Sequence, residues 1–571
     1  MRKLYIFLSV FWLSVFSSCN EDFLNRSLLD EVDAAEYWKT PSDLELYVNQ
    51  FYTSFPAWGG WDGGIFWFDS NSDNMTHYSV NNHLAGRTTI PASGSWSYGS
   101  IRSVNILLSK YQSVEAPFSE YQQFVGEGRF FRAYFYFNLV KNYGDVPWVD
   151  KPLNVDSEEL YSNRTPRNEL IDHILEDLDS AIAYMAPGAN LGGNRLNQEI
   201  AQLFKSRVAL YEGTWEKYHA GTPFGVDGSD GSKYFQIAAE AAEAVMNSGN
   251  YSVYSTGDPE KDYWHLFNQK DYSGNTEIML WKRYNTDLGM SHNGQRYLAR
   301  VGGGRGISKA LVDSYLCTDG KPIAVSPDYQ GDADLVAVVA NRDARLQQTI
   351  YTPGDPMTVE GGEVTRAFEK SDLDATGESN CPTGYQIFKG ADPDFEQHKG
   401  SYLSETGSII FRYAEALLNF AEAKAELGTL SQGDLDKSIN LLRARVNMSP
   451  LELSSITTDP NWDFPGLSPL LNEIRRERRV ELAAEGYRYD DLMRWRAHAL
   501  FVNKRIKGVK FNQSDFPDLD VHVDNDGYVD PLQTQIPNGF QFDPNRDYLR
   551  PISTQELTLN DHLTQNPGWE N

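Results

Sequence analysis

From Phe130 to Val140 the chain runs Phe-Phe-Arg-Ala-Tyr-Phe-Tyr-Phe-Asn-Leu-Val. At helical spacing these apolar and aromatic side chains almost encircle the axis, leaving a narrow polar edge at Arg132, Asn138 and Lys141. A helix apolar nearly all round must lie inside protein or within lipid. The run is too short to span a bilayer and is interrupted by Arg129, Arg132 and Lys141, so it is expected to be buried in protein. Its stop is also readable: Gly144 suits the left-handed position after a helix, and Pro147 cannot continue one. A chain of 571 residues has enough length to enclose such a helix completely.

The N-terminus carries a different signal. Arg2 and Lys3 precede an apolar run from Leu4 to Phe16, then Ser17, Ser18 and Cys19. That is the pattern of a secretory signal whose cleavage site abuts a cysteine. It predicts a lipoprotein signal over residues 1–18 with Cys19 lipidated as the new N-terminus; the alternative is an ordinary signal peptide with an incidental cysteine. Several acyl chains anchor stably where one does not. Cys317 and Cys381 remain as a candidate pair, but two cysteines make no disulfide framework in a chain this long.

A formal net charge of −28 argues against nucleic acid or an anionic lipid surface as the primary partner and leaves neutral and cationic ligands open. Along the chain, Asp33 to Phe55 predicts a helix, with Thr40-Pro-Ser-Asp43 supplying a break and a cap. Thr165 and Pro166 predict the cap and first turn of an amphipathic helix over 164–178. His173 beside its stripe is expected to be a surface or satisfied histidine. Residues 194–215 pair with 234–246, and 410–428 with 435–446, as small residues facing large ones on stacked helices of tetratricopeptide type. Between about 250 and 400 no long helical period survives. Gly302-Gly-Gly-Arg-Gly306 lacks the Lys-Ser/Thr end of a phosphate loop and predicts a flexible loop. Glu473 to Trp495 interleaves its charge signs, as an ion-pair-laced helix does, with a break at Gly486. Asp524-Asn-Asp-Gly-Tyr-Val-Asp530 is a tight hairpin turn rather than a calcium loop, because the rest of the twelve-residue ligand set is missing.

The segment Arg129-Phe-Phe-Arg-Ala-Tyr-Phe-Tyr-Phe-Asn-Leu-Val-Lys-Asn-Tyr-Gly-Asp-Val-Pro147 resembles the signature of the SusD/RagB family. Asn20 to Leu24, Trp96 with Ile101 and Asn105, Leu311 to Ile323, Glu473 to Trp495 and Leu549 to Trp569 resemble further segments of it. The resemblance implies a mainly α fold, tetratricopeptide-type helix pairs packed against an irregular, loop-rich ligand-binding half with a few short strands. It implies a lipidated tether over 19–26 and a single composite domain over 27–571, divided as a helical part 27–250, a ligand-facing part 251–400 and a C-terminal part 401–571. It implies a non-catalytic, cell-surface lipoprotein that captures glycan and delivers it to a SusC-like TonB-dependent transporter. The membrane contact is the lipid on Cys19, facing outward from the outer membrane, with no cofactor. A RagB-like peptide binder shares fold and anchor. A glycoside hydrolase is the distant alternative: no Gly-x-Ser-x-Gly, His-Glu-x-x-His or Cys-x-x-Cys is present.

A glycan binder needs flat aromatic faces for sugar C–H groups and a few polar side chains for hydroxyls. Trp58-Gly-Gly-Trp-Asp-Gly-Gly-Ile-Phe-Trp-Phe-Asp69 sets three tryptophans among four glycines in a stretch without periodicity, and such loops are where binding groups sit. A fold back onto the core is the competing reading. The first candidate group is therefore Trp58, Trp61, Trp67, Asp69, Asp73, Asn81, His83 and Arg87. The second is Trp281, Tyr284, His292, Arg296 and Tyr297, which would face the first if the irregular segments converge. Trp96 is read as packing.

Overall fold

The computed structural model describes residues 37–94, 96–188 and 194–570. The signal, Cys19, the tether and the start of the first expected helix lie outside the described residues. The described part of that helix is α1 (Pro41–Asn49), continuing as a tighter turn to Ser54. It starts where the sequence places it. The Asp43 N–H donates to the Thr40 hydroxyl while the Thr40 N–H donates to the Asp43 carboxylate, so two end groups satisfy each other.

After β1 (Met75–His77) and α2 (Gly99–Lys110) comes α3 (Gln122–Tyr143), the aromatic helix. Phe130, Phe131 and Tyr136 are wholly buried in the largest apolar cluster, together with α1, α2 and the helices that follow. The helix stops at Gly144, whose φ is 70° and whose N–H closes on the Val140 carbonyl at 2.9 Å. One expectation changes. Arg132 is no solvent edge: its Nε and Nη2 donate to Asp177 at 2.6 and 2.7 Å, and its Nη1 to Asn105 and the Asp150 carbonyl. With the stripe covering every side, the cation is matched inside by a carboxylate on the next helix.

That helix, α4 (Arg167–Tyr184), begins one step later than expected. Pro166 occupies the cap position, and Asp145 accepts from the Arg167 N–H at 2.9 Å. The Thr165 hydroxyl accepts instead from the Trp148 N–H, because residue 165 pairs its backbone with Val146. His173 stacks on Trp148 with ring centroids 4.7 Å apart. Next, α5 (Gln198–Tyr218) packs on α6 (Ser232–Asn247) as expected. Gly213 permits it, since a Cβ there would lie 2.8 Å from the Phe235 ring.

The middle of the chain supplies β2 (Ile278–Lys282), α7 (Gly294–Leu298), β3 (Arg305–Ile307), β4 (Pro356–Glu360), β5 (Glu363–Ala367), α8 (Phe395–His398) and β6 (Ser408–Arg412). The strands form three two-stranded antiparallel pairs, β1 with β3, β2 with β6 and β4 with β5. The chain ends in α9 (Tyr413–Glu426), α10 (Ile439–Arg445), α11 (Pro469–Glu481) and α12 (Arg488–Arg494), then a long tail. α9 packs mainly on α6 and α11 and only lightly on α10, so the second expected pair is the looser one. The architecture is mainly helical with a few short strands, as the resemblance implies.

The interleaved charges of α11 do form ion pairs, but inside the protein. Glu481 is fully buried and takes Arg345, Arg412 and Arg445 at 2.9, 2.8 and 2.7 Å. Arg412 also reaches Glu277 and Glu485, and Lys389 reaches Glu485. These partners come from the irregular middle, β6, α10 and α11, so the network ties the loop-rich half to the helical body. Charges removed from water must be paired this closely, or the site is strongly destabilising.

Two loop readings also resolve. Gly302 to Gly306 is packed rather than loose: it leads into β3, and the Gly302 and Gly304 N–H groups donate to Ser379 and Asn380 carbonyls. Residues 524–530 make the expected tight turn, with the Asp524 N–H on the Tyr528 carbonyl and the Gly527 N–H on the Asp524 carbonyl. Cys317 and Cys381 are buried free thiols, not a disulfide. Among the described residues no helix is long and apolar enough to cross a membrane.

Candidate functional site

The glycine-rich loop is fastened by its own aspartate. Asp62 Oδ1 accepts from the N–H groups of Gly59 at 2.9 Å and Gly64 at 2.8 Å, which bends the chain back and turns Trp61 outward. A Cβ at Gly63 would lie 2.4 Å from the Trp67 indole nitrogen, and one at Gly294 2.3 Å from the Trp58 ring. Glycine is required by close approach within the loop at Gly63 and between loop and α7 at Gly294. The three tryptophans consequently separate. Trp61 is 51% exposed, whereas Trp58 and Trp67 are buried at 6% and 7%.

Trp58 is a support. Its ring stacks on His292 at 4.7 Å and 3°, its indole N–H donates to the Gly407 carbonyl at 3.1 Å, and its backbone N–H donates to the Tyr284 hydroxyl at 2.9 Å. Trp281 is buried edge-on to Tyr272. Burial pushes His292 down to about 4, so it is neutral at ordinary pH. Asp69 is fully buried and accepts from Asn74 and from the Ala484 and Gly486 N–H groups; burial raises its carboxyl above the usual range. Burial would raise Asp73 too, but Arg488 at 2.7 Å and Arg479 at 3.3 Å hold its carboxyl well below that range. Asn81 caps a turn through the His83 and Leu84 N–H groups, and Arg87 donates to the Gln535 carbonyl. Buried His83 is pushed down to about 3 by desolvation, then by Arg550 and Arg546. Asn81 and His83 line a small polar cavity of about 250 Å³ with Lys141, Tyr211 and Arg550. Most of the first candidate group is therefore framework.

What converges at the surface is narrower. Trp61 meets Tyr297 at 6.3 Å and Tyr402 at 6.0 Å, both nearly edge-on, and the Arg296 guanidinium lies 5.7 Å over the Trp61 ring. Arg296 donates to the Ser401 hydroxyl at 2.8 Å, and the Tyr297 hydroxyl donates to Glu378 at 2.9 Å. Burial first, then Glu378, pushes the Tyr297 phenol up to about 12. Beneath them Trp67 forms a floor, 5.2 Å from Tyr297, with the Arg305 guanidinium stacked 3.7 Å from its ring. Pairing of β1 with β3 sets His77 opposite Arg305. Tyr78 follows, 41% exposed, with its N–H on the Gly304 carbonyl and its ring against Gly304.

The two candidate groups do meet, through Trp61, Arg296 and Tyr297. Sequence reasoning missed Tyr78, Arg305, Glu378 and Tyr402. Arg305 stood in a glycine run read as plain loop; nothing near Glu378 or Tyr402 in sequence marks either. Tyr402 holds φ at 56°, uncommon for a residue with a side chain, and its N–H donates to Asn293 Oδ1. The result is an open shelf of flat apolar faces edged by guanidinium, phenol and carboxylate groups. Such a surface can stack on pyranose rings and hydrogen-bond their hydroxyls. Among the described residues no cluster of three or more His, Cys, Asp or Glu could hold a metal ion.

The profile of the SusD family matches residues 225–569, and a second profile, described as starch-binding associating with outer membrane, matches residues 31–210. SusD-like protein P2 of Formosa agariphila is 25% identical over 561 residues, covering 93% of this chain and 94% of that protein. A SusD-like carbohydrate-binding protein from Bacteroides fragilis superposes with a TM-score of 0.70 at 21% identity, covering 92% of this chain and all of the other. A laminarin-binding SusD-like protein superposes with a TM-score of 0.56 at 18% identity, covering 93% of this chain and all of the other.

Proposed function

The chain belongs to the SusD family, and from that premise we propose that it is a glycan-binding lipoprotein of the outer-membrane surface. It captures oligo- or polysaccharide on the shelf of Trp61, Tyr297 and Tyr402 and passes it uncut to a SusC-like TonB-dependent transporter. Lipid on Cys19 holds it to the membrane. The observation that carries the reading is the half-exposed Trp61 ring flanked by Tyr297 and Tyr402, which sets three aromatic side chains side by side at the surface. The carbohydrate-binding and laminarin-binding proteins of the same fold support a sugar as the ligand class. The relation of Trp61 to its neighbours calls for no nucleophile or acid–base pair.

Affinity electrophoresis through gels containing single polysaccharides tests this directly. One or more glycans should retard the wild-type protein and retard Trp61→Ala less, while prolonged incubation releases no shorter products. Equal retardation of the two proteins would move the site elsewhere, and turnover would make the protein an enzyme.

A further inference from the structure

The charge of the whole chain points away from anionic ligands, yet the shelf itself is edged with unpaired arginines. Acidic residues outnumber basic ones 79 to 51, so a carboxylate is seldom far from any cation. Arg345, Arg412 and Arg445 each take two or three. Arg296, Arg300, Arg305 and Arg366 take none within ion-pair distance among the described residues. Each is instead steadied by one neutral oxygen: Arg296 by the Ser401 hydroxyl, Arg300 by the His398 carbonyl, Arg305 by the Gly303 carbonyl and Arg366 by the Arg300 carbonyl.

Arg296 and Arg305 both act on the Tyr297 phenol, and the other two connect to Arg296 through the backbone. Arg296 and Arg300 sit four residues apart on and just beyond α7, and Arg366 bonds to the backbone of Arg300. Arg305 lies on the Trp67 floor between Tyr297 and Tyr78, and its buried Nε has no partner. The nearest carboxylates are engaged elsewhere. Glu378 receives the Tyr297 hydroxyl, and Asp62 receives the Gly59 and Gly64 N–H groups, although both still act on Arg305 through space. Asp372 does the same for Arg366. A guanidinium steadied on one side offers its remaining donors in the fork that matches a planar or tetrahedral oxyanion.

We propose that the shelf selects glycans bearing anionic substituents, uronate carboxylates or sulfate esters, with Arg296 and Arg305 as the anion-contacting residues and Arg300 and Arg366 extending the strip. The inference rests on the glycan-binding reading above and names its substrate class. The overall negative charge does not prevent this, because charges beyond about 8 Å are largely screened at physiological salt. An anion seated on the shelf feels the arginines it touches.

The test is affinity electrophoresis on polygalacturonate, a sulfated galactan and neutral laminarin, at low salt and in about 1 M NaCl, where the Debye length is about 3 Å. One or both anionic polymers should retard the protein more than laminarin does, and high salt should weaken that retardation. Which of the two is preferred separates carboxylate from sulfate recognition. Arg296→Gln combined with Arg305→Gln should lower anionic-glycan affinity about tenfold or more. Because Arg305 also packs on Trp67, Arg296→Gln with Arg300→Gln serves as the variant whose fold is not at stake. Laminarin retention equal to that of both polyanions and indifferent to salt would overturn the charge selection and leave glycan binding standing. Retention on none of the three would overturn both.

Discussion

The rings of Trp58 and His292 lie 4.7 Å apart and within 3° of parallel, with the Trp58 ring against Gly294 at the start of α7, the helix that carries Arg296 and Tyr297. His292 Nδ1 accepts from the Gly294 N–H at 3.1 Å, so the proton sits on Nε2, facing the Thr406 carbonyl at 3.0 Å. A second proton would destroy that acceptor. With its pKa held at about 4 in the folded state by burial, His292 stays neutral while an unfolded histidine of ordinary pKa charges. Its contribution is therefore complete above about pH 6.5 and is lost as pH falls towards 4, amounting to about 3 kcal/mol. Denaturant unfolding at several pH values should show a shallower acid limb for His292→Gln than for wild type. Parallel limbs would mean that the imidazole is not held neutral.

Trp58 and Trp61 stand three positions apart and should behave oppositely. Trp58→Ala removes a buried ring and is expected to cost about 3–5 kcal/mol of stability. Trp61→Ala removes a half-exposed one, so its unfolding midpoint should stay near wild type while glycan affinity falls about tenfold, the loss of one aromatic contact. Thermal unfolding paired with glycan titration separates the two.

Glu481→Gln leaves Arg345, Arg412 and Arg445 buried around a neutral amide. Losing the charge at the centre of this network should cost about 3–5 kcal/mol. Because the network joins the loop-rich half to the helices, partial proteolysis of the variant should cut first within residues 251–400. Unchanged stability would mean the remaining carboxylates suffice.

Cys19→Ala tests the anchor by localisation. The variant should leave the membrane fraction and appear in soluble form, with glycan binding intact. Continued membrane association would place the attachment elsewhere.

The helical body was readable because each of its signals is local. Thr40 and Asp43 cap one another three residues apart, and the aromatic stripe of α3 closes on Gly144 within the same segment. The capping expectation at Thr165 missed by one residue because Val146, far back in the chain, recruits residue 165 into a strand-like pair. The charge pattern of α11 showed that its residues pair, but not that the pairing is internal, since burial is decided by Glu277, Arg345 and Arg412. The shelf was the least readable part. Whether a tryptophan in a glycine loop faces in or out depends on Tyr284, His292 and Gly407, and no periodicity in residues 56–99 carries that information.

One hydrogen bond in the support, from the Trp58 indole to the Gly407 carbonyl, joins positions 349 apart in the sequence. Contacts of such separation are the slow ones to form, because the intervening loop must close first. A chain emerging N-terminus first therefore carries the Trp61 loop, bent by Asp62, long before the Gly407 segment that supports Trp58 exists. The proposed glycan capture is therefore expected to mature late and to be missing from a prematurely ended chain, and recovery of binding during refolding should trail recovery of helical signal.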